Sequence, residues 1–173
     1  PMLIDKIRGA LEETRLPPEF LELELTESSL MSDPGQAGAL LREIREVGVR
    51  IAIDDFGTGY SSLTYLHDFP LNALKIDRNF VQSVEANDRG GPIADMIVGL
   101  GKNLGLDVIA EGVETQGQLE YLKEQGCDVA QGYLYAKPQT PEELTPWLAA
   151  HQRLSETNVR SLPRVKRDDE TGT

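Results

Sequence analysis

Cysteine and histidine are scarce in this sequence of 173 residues, and their scarcity restricts the chemistry that it can perform. The single cysteine, Cys127, cannot form an internal disulfide bond. The two histidines, His67 and His151, lie far apart in the sequence, which argues against a zinc site built from nitrogen and sulfur ligands. We therefore expect that any metal site in this protein uses oxygen ligands.

The sequence also lacks an excess of positive charge and long apolar runs. The sequence has 17 lysines and arginines against 29 aspartates and glutamates, and its net charge of -12 is the opposite of the basic face that binds polymeric DNA or RNA. No apolar run is long enough to span a bilayer, and the first residues do not follow the pattern of a signal peptide. We therefore expect a cytoplasmic protein without a polymeric nucleic acid partner or membrane contact, and a small phosphorylated ligand bound through a metal remains compatible.

The sequence does contain a regular alternation of strand and helix patterns. Five strand-helix alternations predict a parallel sheet with right-handed crossovers. The hydrophobic periodicity is lost toward the C-terminus, so we predict one domain over residues 1–152 and a disordered tail over 153–173. The predicted strands cover residues 21–27, 49–55, 71–77, 106–112 and 127–133.

The chain is organised around the stretch 49–63, whose sequence is VRIAIDDFGTGYSSL. The apolar strand pattern ends at Asp54 and Asp55, and the glycines on either side of Thr58 allow a sharp turn after it. Two adjacent ionised carboxylates repel each other when they are buried, unless a cation lies between them. The alternative for this stretch alone is that Asp54 caps a helix and Asp55 is a solvated loop acid.

Polar side chains lie at or near the carboxyl ends of all five predicted strands. In a flat sheet of sequential order the outermost strands would be separated by about 20 Å, too far to share one site. In a (β/α)₈ barrel the strand ends surround a single mouth, so we predict an α/β fold of the TIM-barrel type, with a doubly wound sheet as the alternative. The length accounts for only the last five β/α units, and we expect the first three to be missing. The strand-end residues are Glu24, Asp54, Lys75 with Asp77, Glu111 and Gln131.

Five motifs occur along the sequence in this order: ELTES at 24–28, DDFGTGYSSL at 54–63, LKID at 74–77, AEGVE at 110–114 and QGYLYAKP at 131–138. Taken together, they resemble the EAL domain family. That family comprises bacterial phosphodiesterases of cyclic di-GMP with a modified (β/α)₈ barrel. The resemblance implies metal-dependent hydrolysis of cyclic di-GMP to linear pGpG. The tripeptide DFG at 55–57 is also found in protein kinases, but neither a kinase glycine loop nor an HRD loop precedes it in this sequence.

The resemblance also implies roles for individual residues. Glu24, Asp54 and Asp55 would be the metal ligands of a two-metal site for Mg²⁺ or Mn²⁺. Lys75 would orient or acidify the attacking water with support from Asp77, and Glu111 would be the general base or a ligand of the second metal. The residues expected to hold loops or substrate are Glu27, which would anchor the loop 56–62, and Thr58, Glu114 and Gln131.

Two metal ligands of the family have no counterpart in this sequence, because the chain begins after the positions of the EAL glutamate and of an asparagine on the third barrel strand. Fewer ligands weaken metal binding, so the activity of this chain on its own is open. A non-catalytic module that binds cyclic di-GMP is the alternative, and a metal-dependent barrel acting on another phosphate ester or an enolisable acid is a third. Family members commonly dimerise, and we expect a homodimer.

Overall fold

Within the described residues, five parallel strands form one sheet in sequential order, and this sheet lies in the first of two units of the chain, residues 1–135. The structure is a computed structural model that describes residues 2–58, 63–85 and 90–158. Each strand pairs in parallel with the next one along the chain, as the alternating sequence pattern predicted. The strands are β1 (Glu22–Thr26), β2 (Arg50–Phe56), β3 (Ala73–Ile76), β4 (Asp107–Glu111) and β5 (Val129–Gln131).

Helices connect the strands, and local sequence signals set their ends. Asp33 caps α3 by accepting a hydrogen bond from the backbone N–H of Gln36 at 3.0 Å, and Pro34 occupies the first turn. Gly48 ends the same helix with a φ of 94°, a conformation that glycine adopts without steric cost. The helices of this unit are α1 (Met2–Thr14), α2 (Glu27–Met31), α3 (Pro34–Val47), α4 (Leu63–Asp68), α5 (Arg78–Gln82), α6 (Gly90–Leu104) and α7 (Gln116–Gln125), with a 3₁₀ turn at Pro18–Phe20.

Two short helices were not expected from the sequence. Residues 78–91 are polar enough to predict a loop, but α5 forms at their beginning because Asp77 caps it and Val81 is fully buried in the core. Helix α2 directly follows β1, and its Leu30 is also buried. In both cases one buried side chain and the tertiary surroundings outweigh a local sequence that has little helical periodicity.

The core lies on both sides of the central strands. Ile51 and Ile53 of β2 and Leu74 and Ile76 of β3 are fully buried, as expected for strands of a parallel sheet that is covered on both faces. This packing fixes the carboxyl ends of the strands, where the polar side chains lie. The helix residues that pack in the same core include Leu41 and Ile44 of α3, Ile97 and Val98 of α6, and Leu122 of α7.

The second unit, residues 136–173, contains helix α8 (Pro141–Asn158). Residues 153–158, which the sequence analysis assigned to the tail, form the end of this helix, and the boundary at residue 152 stays a prediction. Residues with good helix propensity, including Arg153 and Glu156, continue the helix beyond the predicted boundary. The remainder of the predicted tail, 159–173, lies outside the described residues. In the part of the chain that the structure describes, no helix combines the length and the apolar character needed to cross a membrane.

Candidate metal centre and substrate pocket

A β-bulge brings the two adjacent aspartates of β2 to one place. Ile53 pairs with Leu74 and Phe56 pairs with Ile76, so β2 contains one more residue than β3 over this interval. Asp55 has a φ of 53°, a left-handed conformation that is rare for residues other than glycine, asparagine and aspartate. In a regular strand two adjacent side chains point to opposite faces. The bulge removes that alternation at Asp54 and Asp55.

Three carboxylates form an acidic group at the ends of β2 and β4. Asp54, Asp55 and Glu111 each offer one oxygen atom, and these atoms lie within 4.8 Å of one another. All three residues are partly buried, so their carboxylates lose part of their hydration and repel one another. Carboxylate oxygens are the ligands that Mg²⁺, Mn²⁺ and Ca²⁺ prefer. The chemistry of this donor set therefore fits a divalent cation.

Lys75 places one fixed positive charge among these acids. Its ammonium Nζ lies 2.6 Å from Glu24 Oε1, 2.6 Å from Glu111 Oε1 and 3.3 Å from Asp54 Oδ1. Only 4% of the Lys75 side chain is exposed. Burial alone would lower the pKa of Lys75, but hydrogen bonds to Glu111 and Glu24 and the nearby negative charges raise it above its usual value overall. Lys75 therefore stays protonated at neutral pH.

Glu24 and Asp77 join the site in different ways. Glu24 lies outside the group of three carboxylates and contacts it through the shared Lys75 ammonium. Asp77 caps α5, where its Oδ1 accepts hydrogen bonds from the backbone N–H of Asn79 at 3.0 Å and from the Asn79 side chain at 2.7 Å. Burial, followed by the charges of Asp54 and Asp77, raises the pKa of Asp55. A bound cation would relieve this repulsion.

Glu27 and Thr58 hold the turn that follows the two aspartates. Glu27 is 3% exposed, and its carboxylate Oε2 accepts a hydrogen bond from the backbone N–H of Gly57 at 3.2 Å. Its Oε1 is buried and has no hydrogen-bond partner among the described residues. The Thr58 hydroxyl donates to the carbonyl oxygen of Asp55 at 2.8 Å. Both contacts lie at the beginning of the predicted loop 56–62, of which residues 59–62 lie outside the described part.

A pocket of about 170 Å³ adjoins the acidic group through Glu111. Gln131 pairs with Glu111 in the register of β4 and β5, so both side chains come from neighbouring strand ends. The pocket thus brings together Glu111 and Glu114 of the AEGVE motif and Gln131 of the QGYLYAKP motif. Its lining residues are Arg78, Glu111, Gly112, Glu114, Gln131, Gly132 and Tyr133.

Arg78 is a candidate functional residue that the sequence analysis did not identify. Its guanidinium Nη2 lies 2.5 Å from Glu114 Oε1, and it lines the pocket. The local signal was available, because Arg78 directly follows the LKID motif that ends at Asp77. Its importance depends on a contact with Glu114, 36 residues further along the chain, which the sequence alone does not reveal.

Comparisons with known proteins show to which family the chain is related. The sequence model of the family described as "EAL domain" matches residues 1–138 of this chain. The cyclic di-GMP phosphodiesterase NbdA of Pseudomonas aeruginosa is 46% identical over 160 residues, which cover 92% of this chain and 20% of NbdA. The signalling protein YkoW of Bacillus subtilis is 42% identical over 146 residues, 84% of this chain and 18% of YkoW. The chain thus spans about a fifth of the length of these curated relatives.

Solved structures extend the comparison to the fold. The EAL domain of Mycobacterium smegmatis DcpA matches with a TM-score of 0.80 and 39% identity, over 85% of this chain and 66% of that one. A manganese and cyclic di-GMP complex of Klebsiella pneumoniae BlrP1 matches with a TM-score of 0.73 and 31% identity, over 80% of this chain and 35% of that one. These matches confirm the predicted α/β fold of TIM-barrel type, here a partial barrel with five strands. This chain belongs to the EAL domain family.

Proposed function

We propose that this chain is the catalytic portion of a metal-dependent phosphodiesterase that hydrolyses cyclic di-GMP to linear pGpG. The observation that carries the proposal is the convergence of Asp54, Asp55 and Glu111 around the buried Lys75, next to a pocket. The names of the relatives support it, since NbdA is a cyclic di-GMP phosphodiesterase. The cyclic di-GMP complex of BlrP1 supports the choice of ligand.

The proposed cofactor is a pair of Mg²⁺ or Mn²⁺ ions. Asp54, Asp55 and Glu111 would hold them, and Glu24 would contribute from the neighbouring strand β1. Bound divalent cations polarise phosphoryl oxygens and lower the pKa of water, which supplies a nucleophile at neutral pH. The oxygen-only donor set supports these ions over zinc, which commonly takes nitrogen and sulfur ligands.

Lys75 is proposed to stabilise the negative charge that develops on the phosphoryl group. Its ammonium is buried and held in place by carboxylates on β1, β2 and β4, so it needs little reorganisation during the reaction. The ammonium has three N–H donors and three carboxylate neighbours, so donation to a water molecule or a phosphoryl oxygen would replace its longest contact, the one with Asp54 at 3.3 Å. Glu111 accepts from this ammonium at 2.6 Å, and its place among the three acids favours the role of a metal ligand over that of the general base.

The overall charge of the protein makes these local cations necessary. A net charge of -12 disfavours the approach of an anionic dinucleotide. Positive charge at the site comes from Lys75, from Arg78 in the pocket and from the proposed metal ions. Gln131 and Glu114 offer amide and carboxylate groups that suit hydrogen bonding to the substrate. Cyclic di-GMP, rather than polymeric nucleic acid, is therefore the proposed partner.

A non-catalytic module that binds cyclic di-GMP is the second candidate. Its supporting observation is that Glu24, a predicted metal ligand, lies outside the group of three carboxylates in the described residues. A site with fewer metal ligands can retain nucleotide binding through Arg78, Glu114 and Gln131 while hydrolysis is lost. Homodimerisation and a cytoplasmic location stay predictions under either function, and light scattering of the purified protein measures the first.

We expect the intact protein to convert cyclic di-GMP to pGpG in the presence of Mg²⁺ or Mn²⁺. Removal of divalent cations with EDTA should abolish product formation, because the proposed ions polarise the phosphoryl oxygens and supply the nucleophile. Adding back either ion should restore it, because the three carboxylates repel one another without a cation. Chromatographic separation of substrate and product measures this directly. Nucleotide binding without product, or turnover that persists in EDTA, would contradict the catalytic proposal, and the former result would favour the binding module.

A further inference from the structure

The beginning of helix α7 contains one more hydrogen bond than its cap requires. Thr115 and Gln118 form a reciprocal capping box, in which Thr115 Oγ1 accepts from the Gln118 N–H at 3.1 Å and Gln118 Oε1 accepts from the Thr115 N–H at 3.1 Å. Gln118 Oε1 also accepts a hydrogen bond from the backbone N–H of Glu114 at 2.8 Å. The additional bond is the shorter of the two, and it acts on a residue that lines the substrate pocket.

Gln118 is well suited to hold this loop rigidly. It is 5% exposed, one of three polar or charged residues that are buried among those described. Its Oε1 accepts hydrogen bonds from two backbone N–H groups, and any other position of this oxygen would leave both N–H groups without this acceptor. The backbone of Glu114 is therefore fixed by a side chain that does not itself line the pocket.

Other contacts fix the same loop from the pocket side. The Glu114 carboxylate is held by Arg78, whose side chain passes so close to Gly112 that a Cβ atom there would clash with Arg78 Cγ. The backbone N–H of Val113 donates to the carbonyl oxygen of Gln131 at 3.0 Å. Glu114 and Gln131, which both line the pocket, are thus connected through Val113 in the loop that Gln118 holds.

We propose that Gln118 is a positioning residue for substrate binding, which acts by holding the backbone of Glu114 at the wall of the pocket. This inference rests on the proposed function. Gln118 has no contact with the acidic group of Asp54, Asp55 and Glu111 among the described hydrogen bonds, so its influence falls on the binding of substrate rather than on metal binding.

The test compares Gln118→Ala with Gln118→Glu in the intact protein. Gln118→Ala removes the acceptor of two backbone N–H groups, and we expect it to raise the KM for cyclic di-GMP about tenfold while kcat changes less than about twofold. Gln118→Glu retains the acceptor oxygen and should restore the KM to within about threefold of the original value. The concentration of Mn²⁺ that gives half-maximal activity should be unchanged in both variants.

Two further variants separate positioning from helix stability. Thr115→Ala removes the cap hydroxyl but leaves the Gln118 bond to Glu114, so it should lower the melting temperature without raising KM. Gln116→Ala is the matched control, because Gln116 is an exposed glutamine in the same helical turn, and it should change neither quantity. If Thr115→Ala and Gln118→Ala raise KM equally, Gln118 is only part of the cap and the inference is wrong.

Hydrogen exchange provides a readout that does not depend on turnover. The amides of Glu114 and Thr115 should exchange faster in Gln118→Ala and keep their protection in Gln118→Glu. Unchanged protection in Gln118→Ala would overturn the inference even if its KM rises. An unsubstituted protein that neither binds nor hydrolyses cyclic di-GMP would instead refute the proposed function, and the exchange rates would still show whether Gln118 fixes the loop.

Discussion

Replacing Asp55 by asparagine is expected to lower the turnover of cyclic di-GMP about 10³-fold, with little loss of folding stability. The substitution removes one of three carboxylates from the acidic group, and the charge stabilisation that a metal ion gives to a transition state amounts to several kcal/mol. Asparagine tolerates the left-handed φ of 53° that this position requires, so the bulge is preserved. Steady-state kinetics and calorimetric titration with Mn²⁺ measure the two effects.

The choice of asparagine matters, because alanine would add backbone strain at this position. Asp5→Asn is the matched control, since Asp5 is an exposed acid on α1 and the same charge is removed without touching the site. Its kinetics should equal those of the unsubstituted protein. Full activity of Asp55→Asn at ordinary metal concentrations would show that Asp55 does not hold a catalytic metal.

Replacing Lys75 by methionine is expected to lower turnover by about 10² to 10⁴-fold, the usual contribution of a positioned proton donor or charged group. Methionine has a similar length and no charge, so the buried stem of the side chain is kept. The carboxylates of Glu24, Asp54 and Glu111 lose their shared cation, and their uncompensated charge should bind divalent metals at least as tightly as before. Activity and metal affinity should therefore change in opposite directions.

The melting temperature provides a second measure of the Lys75 variant. Since three acids have lost their partner, added Mg²⁺ should stabilise Lys75→Met more than the unsubstituted protein. Lys123→Met is a suitable control, because Lys123 is exposed in the last turn of α7 and its loss should affect neither turnover nor metal affinity. A Lys75→Met variant that loses metal binding together with activity would show that Lys75 supports the acid group instead of acting on the substrate.

The convergence of the site could be predicted from the sequence, because it follows from the topology of a parallel sheet. Glu24, Lys75 and Glu111 occur near the carboxyl ends of separate apolar strands, and all parallel strands end at the same edge. The capping box of Thr115 and Gln118 also has a local signal, since a threonine followed three residues later by a glutamine is a pattern that starts helices.

The local geometry at Asp54 and Asp55 could not be predicted from the sequence in the same way. Alternation along a regular strand places adjacent side chains on opposite faces, whereas the bulge arises from the register between β2 and β3, which lie about 20 residues apart in the sequence. The contact of Arg78 with Glu114 and the second hydrogen bond of Gln118 are likewise tertiary. Periodicity reports local structure and carries no information on these distant partners.

Anomalous scattering from crystals of the intact protein grown with Mn²⁺ tests most directly whether the acids of β2 and β4 share one metal centre. We predict a peak whose nearest ligands are carboxylate oxygens of Asp54, Asp55 and Glu111, at about 2.1 Å, the distance that is typical of small divalent cations. No peak at these residues, with the Asp54 and Glu111 carboxylates bound to Lys75 alone, would contradict the proposed metal centre and the hydrolytic mechanism built on it.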